Sequence, residues 1–155
     1  MDEIPVRPLR FKFGITEGRN PVWSQSSPDF SMFINAMGVH IPHFEKFLVR
    51  VMRIYRDGLK DKQLLDDVQA IIGQESHHAF NFLDWTRELI KKYPEIAYCD
   101  QRAGRYFDGA LRNRSKKFQI GFTAGYETFT FLGGMIILNR YKELMGRADP
   151  VMRAL

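Results

Sequence analysis

Gln74-Glu75-Ser76-His77-His78 lies midway along a stretch, Asp61 to Lys92, whose apolar residues recur at helical spacing. At about 100° per residue, Leu64, Val68, Ile71, Phe82 and Leu89 share one stripe, and Glu75 and His78 fall inside it. Burying a carboxylate beside an imidazole is costly unless the charge is paired or bound to metal. The stretch therefore predicts a long amphipathic helix with a polar site set in its packing face. Its ends are marked as well. Asp61 can cap the start, Lys91 and Lys92 suit the C-terminal dipole, and Tyr93-Pro94 is a stop because a proline excludes the residue before it from helical geometry.

Working outward, residues 1–28 carry four of the seven prolines and no sustained period, which predicts an extended arm laid over the core and anchored by Trp23. Asp29 reads as the N-cap of a short apolar stretch, Phe30 to Val39, ended by Gly38 and Pro42. A first long helix follows from His43 to Arg56, with Phe44, Phe47, Leu48, Val51, Ile54 and Tyr55 on one side and Asp57-Gly58 closing it. A more polar helix is expected over Pro94–Arg112, and a last complete one over Ser115–Met145. Between Phe118 and Asn139 the only charged side chain is Glu127, so that segment reads as a central buried helix rather than a membrane span, given its Gly, Thr and Gln content. Gly146 is a C-cap signal, and Asp149-Pro150 announces a further helix that the sequence only begins. The expectation is a single all-α domain over 1–155, with its bundle core in 29–155 and incomplete at the C-terminus.

Composition narrows the function classes. The chain of 155 residues is 45% hydrophobic, enough to bury a core without staples. A single cysteine, Cys99, excludes an internal disulfide framework and a thiolate zinc site, and suits a reducing compartment, with the cytoplasm as the default. The first ten residues lack the apolar run of a signal peptide. The net charge of +5 is scattered, and its densest run, Arg112 to Lys117, has no interleaved aromatic platform. It reads as a solvated loop or cap, and no nucleic-acid partner is expected.

Four residues form a constellation. Glu45 lies at the edge of the apolar face of the first long helix, Glu75 and His78 lie one turn apart on the second, and Glu127 stands alone in the last. A dinuclear carboxylate site in a four-helix bundle takes one Glu from each of two helices and a Glu-x-x-His pair from each of the other two. The order here is Glu, Glu-x-x-His, Glu. Carboxylates bridge and neutralise two cations, and the i, i+3 spacing puts Glu75 and His78 on one side of a helix. The oxygen-rich set suits iron or manganese, and zinc fits it too. Plainer readings stand beside this one: a buried Glu75–His78 pair, a Glu127 paired to a buried base, and a Glu45 placed for the helix dipole. His77 points about 100° away from His78 and reads as a surface or supporting residue. His40 and His43, flanking Pro42, are not expected to be ligands.

Pro42-His-Phe-Glu45-Lys-Phe-Leu-Val-Arg-Val-Met-Arg53, then Gly73-Gln-Glu75-Ser-His-His78, then Thr123-Ala-Gly-Tyr-Glu127 resemble, in order and spacing, a bacterial family known as predicted metal-dependent hydrolases. The likeness begins near Val6, takes in Arg7, Arg10, Phe11 and Trp23, and spans nearly the whole chain. It implies a ferritin-like helical arrangement, a divalent metal held by Glu45, Glu75, His78 and Glu127, and a small-molecule substrate. Longer members continue past an Asp-Pro like Asp149-Pro150 into a helix with further ligands. The family usually has Gly where Phe44 stands, and commonly His where Thr128 and Phe82 stand. Hydrolysis is the function the resemblance implies. A di-iron oxidase or oxygenase, a non-catalytic helical module and a basic binding module are the alternatives. A bundle short of one helix exposes the stripe that helix would cover, which predicts association, with a homodimer as the simplest form.

Overall fold

The computed structural model describes residues 4–6, 8, 10–13 and 20–154, so Arg7 of the arm lies outside the described residues. Its elements are all helices: α1 (Pro28–Arg56), α2 (Lys62–Lys92), α3 (Ile96–Asn113), α4 (Lys116–Asn139), α5 (Tyr141–Met145) and α6 (Pro150–Ala154). Among the described residues the one sheet-like feature is an isolated antiparallel bridge between Ser24 and Ala148. The architecture is the all-α helical bundle that the periodicity predicts. No helix of the described residues is long and apolar enough to cross a membrane.

The break expected between Val39 and His43 is absent, because α1 runs unbroken for 29 residues with Pro42 inside it. Proline has no N–H to give the carbonyl four residues earlier. That carbonyl, on Gly38, instead accepts a hydrogen bond from Thr86 Oγ1 of α2 at 2.9 Å. Gly38 is therefore not a terminator. A Cβ there would meet Phe82 Cδ1 at 3.2 Å, so glycine is what lets α2 come this close. The helix also starts earlier than Asp29: Ser27 is the capping position, Pro28 occupies the first turn, and Asp29 faces the positive end of the dipole.

α2 begins where expected, with the Asp61 carboxylate accepting from Leu64 N at 2.9 Å. Its most buried residues are Ile72, Asn81, Trp85, Thr86 and Leu89, a line rotated from the expected stripe, so that Leu64 lies in water. α1 is the central helix. α2, α3 and the N-terminal half of α4 pack on it, while α2 and α4 hardly touch one another. One core cluster, Phe44, Phe47, Leu48, Val49, Val51, Ile72, Phe107 and Ala110, joins α1, α2 and α3. A second gathers Phe13 and Trp23 of the arm with Trp85, Leu89, Met145, Ala148 and Met152. Asn35 organises its polar centre. Its Oδ1 accepts from Trp23 Nε1 at 3.0 Å and Trp85 Nε1 at 3.1 Å, while Nδ2 donates to the Pro21 carbonyl at 2.9 Å.

Two expectations for the last long helix are corrected. It ends at Asn139, after which the chain bends at Arg140 so that Met145 of α5 reaches the Trp23–Trp85 cluster. Nor is it buried on every face. Only Gln119 and Thr123 are fully buried, because α1 and α3 cover one side, and the other side places Phe129, Phe131, Leu132 and Leu138 in water. The basic run Arg112–Lys117 is exposed, and within it Ser115 caps α4 by accepting from Phe118 N. Asp149 caps α6 as the sequence announces, accepting from Val151 N at 2.9 Å.

Candidate metal centre

Glu45 follows Pro42 by three residues on α1, between the buried Phe44 and Phe47. Continuity of the helix through the proline sets its direction, and the packing of α2 on α1 covers it, leaving it 4% exposed. Its dipole role can be set aside, since it stands deep inside a 29-residue helix rather than at a start. Its Oε2 is buried with no hydrogen-bond partner.

Across from it, α2 presents Glu75 and His78 on one edge. His78 Nδ1 lies 3.7 Å from Glu45 Oε1 and 3.7 Å from Glu75 Oε2. One ligand atom from each of the three residues falls within 4.8 Å of the others. The expectation that the Glu75–His78 pair is sunk in the packing face holds for Glu75, whose side chain is 15% exposed, and is corrected for His78, at 56%. The reason is the rotation of the buried line of α2, which puts this pair at the rim of the α1–α2 seam.

Glu127 of α4 stands outside that compact trio, half-buried, with Thr130 Oγ1 donating to its Oε2 at 3.4 Å. Its charge nevertheless reaches Glu45 and His78. The carboxyl of Glu45 is pushed up to about 10 by burial, then by the neighbouring charges of Glu75 and Glu127. That of Glu127 is raised by burial and by Glu75, against the Thr130 hydrogen bond and His78. The polar contact with Glu75 raises the pKa of His78 against its own partial burial. The charges of Glu75 and Glu127 thus disfavour ionisation of Glu45, and that of Glu75 disfavours ionisation of Glu127, the condition that a bound cation relieves.

A supporting pair was not legible in the sequence. His40 Nδ1 and the Tyr126 hydroxyl are 2.9 Å apart, and the Tyr126 ring stacks on Phe44 with centroids 3.6 Å apart. Burial, then the charges of Glu45 and Glu127, push this phenol up to about 12. Its one sequence signal is its position next to Glu127. His43 binds elsewhere, with Nε2 2.7 Å from Asp100 Oδ1, tying α1 to α3. His77 is not part of the trio.

The donor set fits a divalent cation: two carboxylates and one imidazole converge, the buried oxygen of Glu45 lacks a partner, and the surrounding charge is negative. A family model described as predicted metal-dependent hydrolase matches residues 5–155. The chain belongs to this family. No curated protein and no solved structure matches it significantly. In this member of the predicted metal-dependent hydrolase family the trio is the cluster of His, Cys, Asp and Glu found among the described residues that could hold a metal ion.

Proposed function

We propose that this protein binds a divalent cation through Glu45, Glu75 and His78, with Glu127 completing a carboxylate-rich, ferritin-like site, and that it hydrolyses a small molecule there. The observation that carries the reading is the Glu45 carboxyl group, its Oε2 buried without a partner and its Oε1 3.7 Å from a His78 Nδ1 that also lies 3.7 Å from Glu75 Oε2. Oxygen donors outnumber nitrogen, which suits iron or manganese, and zinc fits the same set. Glu45 forms the floor from α1, and Glu75 and His78 one wall from α2. His78 directs Nδ1 at both carboxylates, so Nδ1 is the ligand atom in this orientation, and the imidazole must be neutral to serve. Loading the site therefore releases protons, from Glu45 above all, and affinity rises with pH. Glu127 lies on α4, which packs on α1, and its charge reaches Glu45 and His78. A divalent cation held there would polarise the scissile bond and acidify a water toward neutral pH.

The test is metal content and turnover together. The chain is expressed with iron and manganese, bound metal is measured by elemental analysis, and a panel of small esters, amides and phosphoesters is assayed with and without chelator. Glu75→Ala and His78→Ala should each abolish binding and His77→Ala should retain most of it. Metal below about a tenth of an equivalent in the parent chain, when supplied far above any useful dissociation constant, refutes the site. Equal loss from all three variants places the ligands on another face.

A further inference from the structure

The outward half of α4 is an uncharged surface about 30 Å long, from Phe118 to Leu138. Its two ends differ in side-chain size. At 100° per residue, Gly121, Ala124, Gly125 and Thr128 line the middle of the face in its N-terminal half, all exposed. A Cβ built on Gly121 or Gly125 would meet nothing within 4 Å, so both positions are open hollows. The C-terminal half carries Phe129, Phe131, Leu132, Met135, Ile136 and Leu138, each between 41% and 68% exposed.

We infer that this face is the seat of a second copy of the chain, packed antiparallel through α4 about a two-fold axis at Thr128. An interface between identical copies must complement itself, with each half of the patch fitting the other half on the partner. The graded sizes of α4 do this in one orientation only. With the axis at Thr128, Gly125 lies opposite the second copy's Leu132, Ala124 opposite its Phe131, and Gly121 opposite its Met135 and Ile136. Phe131, Leu132 and Met135 then each meet a hollow, while Phe129, one residue from the axis, comes beside its own twin at the edge of the seam. A parallel pair would set large against large and leave the hollows empty. The antiparallel arrangement brings Lys116 and Lys117 of one copy to the negative helix end of the other, where Arg140 is already paired with Glu143.

The area suffices. Those six side chains with Phe118 and Ile120, at roughly 200 Å² each when fully accessible, leave about 800 Å² of apolar surface in water, and a standard stable interface buries about 800 Å² per partner. Patches of this size on a protein that stays monomeric are rare. Glu127 flanks this face one residue from the axis, so pairing also brings the two metal centres to the same side of the dimer.

Sedimentation velocity from about 1 to 100 µM, a span covering typical interface affinities, should show a dimer that Leu132→Glu converts to monomer with unchanged far-UV circular dichroism. Orientation is read by oxidation in a Cys99→Ser background. Thr128→Cys sits on the axis and should cross-link two copies, whereas Gly121→Cys would stand about 20 Å from its twin, seven residues off the axis on each copy, and should not. The cross-linking arm reads the interface even if Leu132→Glu fails to fold. A monomer throughout that range, meaning that another occupant takes the face or that it stays in water, overturns the inference. So does an open-ended series of larger species, a dimer that survives Leu132→Glu with its fold intact, or cross-linking through Gly121→Cys as efficient as through Thr128→Cys.

Discussion

Replacing Glu45 by Gln separates what the proposed metal centre does for function from what it does to stability. In the metal-free chain the Glu45 carboxyl is pushed up to about 10, by burial first and by Glu75 and Glu127 next, from an ordinary value of 4.5. The folded chain therefore holds a proton on Glu45 that the unfolded chain has released, throughout the window between those values. Where the folded state binds more protons, stability falls as pH rises. Each pH unit above 4.5 costs about 1.4 kcal/mol, so the penalty at pH 7 is about 3 kcal/mol. Gln is neutral in both states and does not pay it. Urea unfolding of chelator-treated protein at pH 5, 6, 7 and 8 should show Glu45→Gln gaining on the parent chain with each step upward. Subtracting the parent at each pH removes whatever titrates alike in both, His78 included. With Mn²⁺ at about a thousand times its dissociation constant the parent gains about 4.1 kcal/mol by mass action and the variant gains nothing. That gain exceeds the penalty at pH 7, so at that pH the order should reverse. A difference between variant and parent that stays flat from pH 5 to pH 8 would refute the argument. It would mean that Glu45 ionises as an ordinary carboxylate and is not enclosed as described.

Three further substitutions test the framework that places the centre. Thr86→Val keeps the shape of the side chain but strips the Gly38 carbonyl of its donor, and should cost about 1–3 kcal/mol in chemical denaturation; a loss within error would mean that Pro42 needs no compensation. Asn35→Leu leaves two indole N–H groups and the Pro21 carbonyl unpaired in the interior, and should lower stability by about 3 kcal/mol or more, with a shift in tryptophan fluorescence as the second readout. Asp61→Ala removes the cap of α2 and should cost about 1 kcal/mol, with Asp61→Asn restoring most of it.

What was legible in the sequence is what is local. Asp61, Tyr93-Pro94, Ser115 and Asp149-Pro150 mark helix ends by chemistry that acts within three or four residues, and the helices start or stop at or beside them. Pro42 misleads because its compensation comes from Thr86, 44 positions away and on another helix. Periodicity found the face that carries Glu75 and His78 but not its depth, which depends on where α1 lies against α2. The same limit made Glu45 look peripheral when it is the most enclosed member of the trio. For α4, apolar residues on all sides were read as burial, yet hydropathy reports only that a surface avoids water, not that anything covers it. Of the four expected ligands, Glu45, Glu75 and His78 bring one ligand atom each within 4.8 Å of the others. Glu127 stands apart because α4 leans on α1 and α3 rather than on α2.

The hydrogen bond from Thr86 to the Gly38 carbonyl also bears on the order of assembly. By itself the segment Pro28–Arg56 carries a defect at its middle, where the ladder lacks a rung. The missing rung is made good only where α2 packs, through Thr86, so the continuous helix and its contact with α2 support one another. The side chain of Glu45 sits just past that joint, so its aim is fixed in the same event that brings Glu75 and His78 within reach. Backbone amides around Val39–Phe44 and those around Trp85 should therefore exchange with deuterium as one cooperative unit rather than two.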